Sequence, residues 1–340
     1  MKKRNPETNK LNEGLSEDQI LDAVRVSGYP LQSVIYEKLS DKFHIQEEWS
    51  FIDSDSNEER AIDLIAQLNL YDYVEPQHRV RPSLNLIIEC KQSDMPYVFF
   101  LTKDNPRTPK YPVFAGLPSN NIVLTTDDDA SSWSFSILQA LELSEHPFLR
   151  KSTVSCNTFS KGARKGSKIE LSGSQPYQGL VLPLLKATSY FEMCEKPVDT
   201  AMYFDCHLTV PIGIIDGPMV GIRTDGNDNS VEMVPWVRVL RHQASKDDHR
   251  TNTGAIDIVH KDFFDEYIEE HLIPFATEFS RLAIKHQHVL CKGKGFASGL
   301  GEDSWNNIES RLTEKKLKHS SQRSSVIFKN IVNLIKRTSK

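Results

Sequence analysis

The sequence has few of the features that mark secreted, membrane-bound or metal-stapled proteins. Its five cysteines are odd in number, widely scattered and without a CxxC pair, so they indicate neither a disulfide framework nor a zinc site. No segment approaches the roughly 20 apolar residues that cross a bilayer, and the opening MKKRNPETNK has no apolar stretch behind it. We therefore expect a cytoplasmic protein with reduced thiols and no membrane contact.

The chain also lacks internal repeats and a Walker phosphate-binding motif. DNA translocation powered by this chain is therefore disfavoured, and any such motor would be a separate partner protein.

Charge is unevenly distributed along the chain, whose net charge is −5. Residues 149–169 carry six Lys or Arg and no acid, and residues 311–340 carry nine against one Glu, so the remainder carries −19. An acidic body with two basic segments binds a polyanion locally and repels it elsewhere. Solvated faces or flexible ends are the alternative explanation of the same basic runs.

The pattern of apolar residues divides the chain into a core and additions to it. The 340 residues, 39% hydrophobic, allow one large core or two moderate ones. We predict a disordered N-terminus, an α/β core in two pieces, an insertion that ends in a basic segment, a helical extension and a basic amphipathic tail. The respective ranges are 1–15, 16–94 with 173–245, 95–172, 246–310 and 311–340.

Several stretches of the core have clear local signals. Ser16 and Gln19 form a capping-box pattern before one helix, and LQSVIYEKLSDKF predicts a second. EEWSFID, ERAIDLIAQLNL and LNLIIECKQ are short, apolar and rich in strand formers, which predicts three successive strands. YQGLVLPLLKATSYFEMCE then predicts a long helix, followed by a strand in CHLTVPIGIID. A helical crossover between two strands indicates a parallel pair.

Three charged residues occupy positions that a core strand normally avoids. Glu89 and Lys91 end the apolar run LNLII and share one face, because alternate strand residues point the same way. Asp63 stands in the middle of the preceding predicted strand. Since a lone buried charge costs several kcal/mol, either Glu89 and Lys91 lie at an exposed strand end or another group compensates them. Paired carboxylates suit Mg²⁺, and a neighbouring lysine suits phosphodiester hydrolysis.

The order of these elements and the Asp63, Glu89 and Lys91 pattern resemble the PD-(D/E)XK superfamily of nucleases. RAIDLIA followed by LIIECK is similar to many bacterial members, and the core order of helix, three strands, helix and strand matches residues 30–216. The resemblance implies a three-layer restriction-endonuclease-like α/β core, with a mixed central sheet flanked by helices.

The resemblance also implies roles for individual residues. Asp63 and Glu89 would bind Mg²⁺, for which Mn²⁺ would substitute, together with the backbone carbonyl of Cys90, and Lys91 would be the catalytic lysine. Glu37 is the candidate for the further acid that some members take from the first helix, and Gln92 stands where related nucleases often carry a glutamine that contacts the site or the nucleic acid. A plain surface role for Gln92 is the alternative. From the basic segment, the candidate nucleic-acid contacts are Lys161, Arg164, Lys165 and Lys168.

The resulting hypothesis is a metal-dependent nuclease, with DNA as the expected substrate and bacterial defence or DNA processing as its setting. A homodimer would supply the two sites needed to cut both strands. The alternative hypothesis is a non-catalytic module that binds nucleic acid or protein and retains the nuclease fold, with the long additional segments as its partner surface.

Overall fold

The computed structural model describes residues 5–71, 78–108, 110–126, 131–225, 228–243, 252–297 and 311–313. These residues form an α/β arrangement dominated by one large mixed sheet flanked by helices. The α-helices are α1 (Glu17–Val26), α2 (Tyr29–Ser40), α3 (Ile137–Ala140), α4 (Pro147–Arg150), α5 (Ser174–Pro176), α6 (Leu182–Cys194), α7 (Phe264–Glu266), α8 (Ile273–Lys285) and α9 (Gln287–Leu290). The strands are β1 (His44–Ile52), β2 (Glu59–Asn69), β3 (Val80–Gln92), β4 (Tyr97–Leu101), β5 (Val113–Ala115), β6 (Asn121–Thr126), β7 (Ser132–Ser136), β8 (Val154–Lys165), β9 (Lys168–Ser172), β10 (Phe204–Asp216), β11 (Met219–Asp225), β12 (Asp228–Met233), β13 (Trp236–Gln243), β14 (Asn252–His260) and β15 (Lys294–Ala297).

The predicted core elements are confirmed. At the start of α1 the Ser16 hydroxyl accepts a hydrogen bond from the Gln19 backbone N–H, and the Gln19 side chain accepts one from Ser16 N–H. Strands β1, β2 and β3 pair successively in antiparallel fashion. Strand β3 then runs parallel to β10 along its whole length, and α6 belongs to the crossover between them. The predicted helix, three strands, helix and strand follow one another along the chain, with β4 to β9 and α3 to α5 between β3 and α6.

Helices cover both faces of this part of the sheet. Leu84, Leu86 and Ile88 of β3 point to one side, where they pack in a core with α2 and α8. Ile87 points to the opposite side, where Leu184 of α6 belongs to a second core. We call these two sides the α2/α8 face and the α6 face. The alternation places Ser83, Asn85, Glu89 and Lys91 on the α6 face.

Residues 95–172 differ from the expected insertion, because most of their strands extend the main sheet. Its strand order is β1-β2-β3-β10-β14-β13-β8-β4-β11-β12, with β5 paired to β10 and β9 to β8. Strands β6 and β7 instead join β15 in a separate three-stranded sheet. The basic, Gly- and Ser-rich segment forms the β8–β9 hairpin, whose turn contains Gly166 at a φ of 64°.

The expected helical extension begins with a strand. Strand β14 pairs in parallel with β10 and carries the buried Asp257, whose charge obscured the strand pattern in the sequence. Helices follow as predicted, but Pro274 does not interrupt them. A π-helical segment, Tyr267–Leu272, leads directly into α8, so that Pro274 falls in the first turn of α8, where a missing N–H is tolerated.

Parts of the predicted ends lie outside the described residues. Residues 5–15 contain turns and are exposed, without helix or strand. Only residues 311–313 of the predicted basic tail are described. Within the described ranges, no helix is both long enough and apolar enough to cross a membrane.

Candidate active site

The antiparallel pairing of β2 with β3 stops where the predicted site begins. The last paired residues are Leu64 and Ile88, so Asp63 and Glu89 would be the next partners along the two strands. At this point the Asp63 carboxylate accepts a hydrogen bond from the backbone N–H of Cys90, with Oδ2 2.6 Å from the nitrogen. A side-chain oxygen thus replaces the strand carbonyl as acceptor, and Asp63 is fixed against the end of β3.

Glu89 and Lys91 form a direct ion pair on the α6 face. Their Oε1 and Nζ atoms lie 2.5 Å apart, and the Glu89 side chain is 9% exposed while that of Lys91 is 34% exposed. Alternation along the strand brings these two side chains together, while Cys90 points into the core on the other face. Lys91 therefore links the buried carboxylate to solvent.

Apolar packing beside Glu89 explains why its carboxylate is poorly solvated. The residue opposite Glu89 on β10 is Gly213, and Leu180, from the π-helical segment Tyr177–Val181 before α6, packs directly over it. Burial, followed by repulsion from Asp63, raises the pKa of Glu89 to about 7, against the weaker lowering effects of Lys91. A carboxyl group whose pKa is raised by burial and by a neighbouring acid is typical of functional sites.

The neighbours of Glu89 respond to the same environment. Burial raises the pKa of Asp63, although the Cys90 N–H and Lys91 counteract it and Glu48 adds to it. For Lys91, burial lowers the pKa, but attraction to Glu89 and the hydrogen bond with it outweigh burial, so the pKa is raised overall. Lys91 is therefore an ammonium ion at neutral pH, held between two acids.

Glu48 is a further acid at this site, and no pattern in the sequence distinguishes it from its neighbours. It lies on β1 directly opposite Asp63, between the paired residues Glu47–Leu64 and Trp49–Ile62. Its φ of 49° is in the left-handed region, which costs a non-glycine residue roughly 1–2 kcal/mol. Residues held in such conformations cluster at functional sites. Counting outward from the β1–β2 turn would have paired Glu48 with Asp63, but only once the register was known.

Helix α2 supports the site from the α2/α8 face. Its Gln32 side chain donates a hydrogen bond to the Asp63 carbonyl, 3.2 Å away. Gly28, at the start of the helix, faces the Cys90 carbonyl, and a Cβ there would lie 3.8 Å from that oxygen. The N-terminal end of α2 thus lies against the backbone of both site strands.

The structure does not bring Glu37 to the other acids. Glu37 is exposed on α2 five residues beyond Gln32, which is about 7.5 Å along the helix axis. It is not among the groups that act on Asp63 or Glu89. Gln92 ends β3 next to Lys91, is exposed, and is paired in register with Asp216 of β10.

The predicted nucleic-acid contacts lie on the β8–β9 hairpin. Arg164, Lys165 and Lys168 are exposed, and Lys165 pairs with Glu170 of the same hairpin at 3.0 Å. Lys161 is half-buried, with its ammonium 5.5 Å from the centre of the Tyr97 ring. Lys161 pairs with Tyr97, the first residue of β4, and only residues 93–96 separate β4 from the end of β3.

Three residues offer oxygen atoms that could bind a cation. Asp63 and Glu89 contribute carboxylates, and Cys90, which directly follows Glu89, contributes its backbone carbonyl. Within the described part of the chain, no three His, Cys, Asp or Glu side chains are grouped as a metal site.

Comparisons of the chain with protein-family models, with curated proteins and with solved structures found no match. The chemistry of the site is therefore argued from its own residues.

Proposed function

We propose that this chain is a cytoplasmic, metal-dependent nuclease that hydrolyses phosphodiester bonds of nucleic acid, with DNA as its first candidate substrate. The observation that carries the proposal is the convergence of Asp63, Glu89 and Lys91 where the β2–β3 pairing ends. Two carboxylates and an ammonium in a half-buried site form a set suited to phosphodiester chemistry.

The donor set fits a hard divalent cation. Burial raises the pKa of both Asp63 and Glu89, and repulsion from Asp63 raises that of Glu89 further; a divalent cation would neutralise both carboxylates. These carboxylates and the Cys90 carbonyl would hold Mg²⁺ or Mn²⁺, which favour oxygen ligands and retain several waters. Such an ion, when bound, polarises a phosphoryl oxygen and lowers the pKa of a bound water.

The protein's own groups would position and stabilise the reacting phosphate. Lys91 keeps its proton at neutral pH and is about one-third exposed, so its ammonium can reach an entering phosphate and offset the negative charge that develops there. The Cys90 N–H holds Asp63 in one orientation, which reduces the reorganisation needed when substrate binds.

The topology supports a restriction-endonuclease-like core as part of the proposal. Helix α2, strands β1 to β3, helix α6 and strand β10 follow the order that the resemblance implies, with β10 parallel to β3. The additional strands β4, β8, β9 and β11 to β14 extend this sheet beyond the minimal core.

A cleavage panel tests the proposal. Purified protein should cut single- or double-stranded DNA or RNA in Mg²⁺ or Mn²⁺ but not in chelator. Asp63→Asn and Glu89→Gln should abolish cleavage and weaken Mn²⁺ binding measured by calorimetry. Lys91→Ala should retain Mn²⁺ binding but lower the rate by about 10²–10³-fold, the usual effect of removing one charge-stabilising donor.

Glu59→Gln is the matched control, because Glu59 is an exposed acid on the same strand as Asp63. It should cleave and bind Mn²⁺ like the wild type. Equal inactivity of the wild type and all variants on every nucleic acid would overturn the catalytic proposal.

The second candidate is a non-catalytic binding module with the same fold. It is favoured by the internal pairing of both acids, Asp63 with the Cys90 N–H and Glu89 with Lys91, which satisfies them without an external ligand. Binding of nucleic acid or protein without cleavage, unaffected by Asp63→Asn, would support this candidate.

A further inference from the structure

The β8–β9 hairpin extends past the body of the protein as a two-stranded ribbon. Residues 161–172 form this basic ribbon, with cross-strand pairs from Lys161–Ser172 to Lys165–Lys168. Residues 163–171 are all exposed. From Gly162 to the turn at Gly166 the ribbon projects about 14 Å, given about 3.4 Å per residue.

Both ends of the ribbon are anchored beside the candidate active site. Gly162 N–H donates to the Pro96 carbonyl at 2.8 Å, and Pro96 is only five residues after Lys91, a span of at most about 17 Å. At the other end, Ser172 leads through α5 into the π-helical segment that carries Leu180, which packs over Gly213 opposite Glu89. The ribbon therefore leaves the protein next to the end of β3.

The two faces of the ribbon differ in chemistry. Cross-strand partners share a face, so Lys165 and Lys168 lie on one face together with Glu170, which pairs with Lys165. The opposite face presents Arg164, with Ile169 and Leu171 at 59% and 50% exposure. Cations and exposed apolar side chains on a narrow ribbon match a surface that combines phosphates with apolar base edges.

A second exposed hairpin carries net negative charge, so the positive charge of the basic ribbon is not shared by the other hairpin. Strands β11 and β12 form a ribbon at the edge of the same sheet, and all of β12 is exposed. It carries Asp225, Asp228 and Glu232 against the single cation Arg223. A polyanion is therefore attracted to the basic ribbon and repelled from the β11–β12 ribbon.

We infer that the basic ribbon enters the major groove of duplex DNA next to the active site, so that the substrate is double-helical DNA. This inference rests on the proposed function and specifies its substrate. The major groove of B-form DNA is about 12 Å wide and admits a two-stranded ribbon, whereas that of duplex RNA is too narrow. Arg164 and the lysines contact phosphates or guanine edges, and Ile169 and Leu171 contact thymine methyl groups.

Binding measured in chelator tests the inference separately from catalysis. Fluorescence anisotropy would compare a 30-base-pair DNA duplex, the same sequence as duplex RNA, and single-stranded DNA over a range of salt. We expect at least about ten-fold preference for the DNA duplex. In the combined variant Arg164→Gln, Lys165→Gln and Lys168→Gln, the slope of log affinity against log salt should fall by about 2.7, with at least about ten-fold weaker binding.

The matched control removes three exposed lysines elsewhere, in the combined variant Lys103→Gln, Lys151→Gln and Lys196→Gln. It changes the net charge equally and should keep most of the affinity. Guanine N7 lies in the major groove, so bound wild-type protein, but not the ribbon variant, should protect it from methylation by dimethyl sulfate.

The outcomes separate the two proposals. Equal losses in the ribbon and control variants, equal affinity for duplex RNA, or unprotected guanine N7 would each refute groove entry by the ribbon. Duplex DNA binding through the ribbon without cleavage in Mg²⁺ or Mn²⁺ would refute the proposed nuclease and leave the groove contact standing. Cleavage with unchanged binding by the ribbon variant would refute only the groove contact.

Discussion

Glu89→Gln should stabilise the metal-free protein at alkaline pH. Because the pKa of Glu89 in the folded state is about 7, against an ordinary value of 4.5, the folded protein favours the protonated carboxyl. The stabilisation from this proton is fully present below about pH 4.5 and is lost as the pH rises through 7. A difference of about 2.5 pKa units corresponds to about 3 kcal/mol at 1.36 kcal/mol per unit.

The amide variant isolates this contribution, because glutamine has nearly the same shape and does not titrate. The ion pair with Lys91 exists only while Glu89 is ionised, and its effect is already contained in the pKa of about 7, so it adds no separate pH dependence. The stability of wild type relative to Glu89→Gln should therefore fall by up to about 3 kcal/mol between pH 4.5 and 8.5.

Thermal unfolding followed by circular dichroism in EDTA would measure the effect. Since 1 kcal/mol moves the Tm of a domain of 150–250 residues by about 2–4 °C, the relative Tm should change by several degrees. Excess Mg²⁺ should stabilise the wild type at pH 8.5 and leave Glu89→Gln nearly unchanged. A relative Tm that stays constant from pH 4.5 to 8.5 would refute the conclusion that burial and repulsion from Asp63 destabilise the ionised carboxylate of Glu89.

Three further substitutions test other parts of the structure. Glu48→Gly should raise the free energy of unfolding by up to about 1 kcal/mol by relieving the positive φ, while Glu48→Gln should not; equal Tm values for the two variants would contradict this. Arg238→Met should cost about 3–5 kcal/mol in urea unfolding, because it leaves the fully buried Asp257 without its cation, and adding Asp257→Asn should recover part of the loss. Gly217→Ala would place a Cβ 2.2 Å from the Ser93 carbonyl oxygen next to the site, so the Tm of this variant should fall by the equivalent of about 1–3 kcal/mol. Gly179→Ala is the control and should be neutral, because its Cβ would meet nothing within 4 Å.

Local sequence signals were sufficient for the core and for the central residues of the site. The Ser16 and Gln19 capping box, the three strands and the placement of Asp63 near Glu89 and Lys91 depend on patterns a few residues long or on adjacent strands. Glu48 could not be selected in this way, because Glu47 and Glu48 look alike until the register with β2 assigns one of them to Asp63.

Long-range pairing explains the larger differences from the sequence prediction. Strand β8 joins the sheet through β13 and β4, and neither partner is recognisable from the sequence around β8. Strand β14 was hidden by Asp257, whose charge looks unsuited to a buried strand until Arg238, Tyr111 and Tyr267 are seen to bind it. Pro274 within EEHLIPFATEF favours a helix break from sequence alone, because a π-helical turn has no simple sequence signal.

The register between β3 and β10 is unbroken from Val80–Phe204 to Gln92–Asp216. It determines which folded molecules contain the candidate site. A slip by one residue would turn every side chain of β3 to the opposite face, exposing Leu86 and Ile88 to α6 and burying Glu89 and Lys91 among the apolar side chains of α2 and α8. Misaligned chains would thus lose the site entirely instead of retaining a weakened one. Under the proposed function, titration of active sites in a preparation would count correctly aligned molecules, and their specific activity would be uniform.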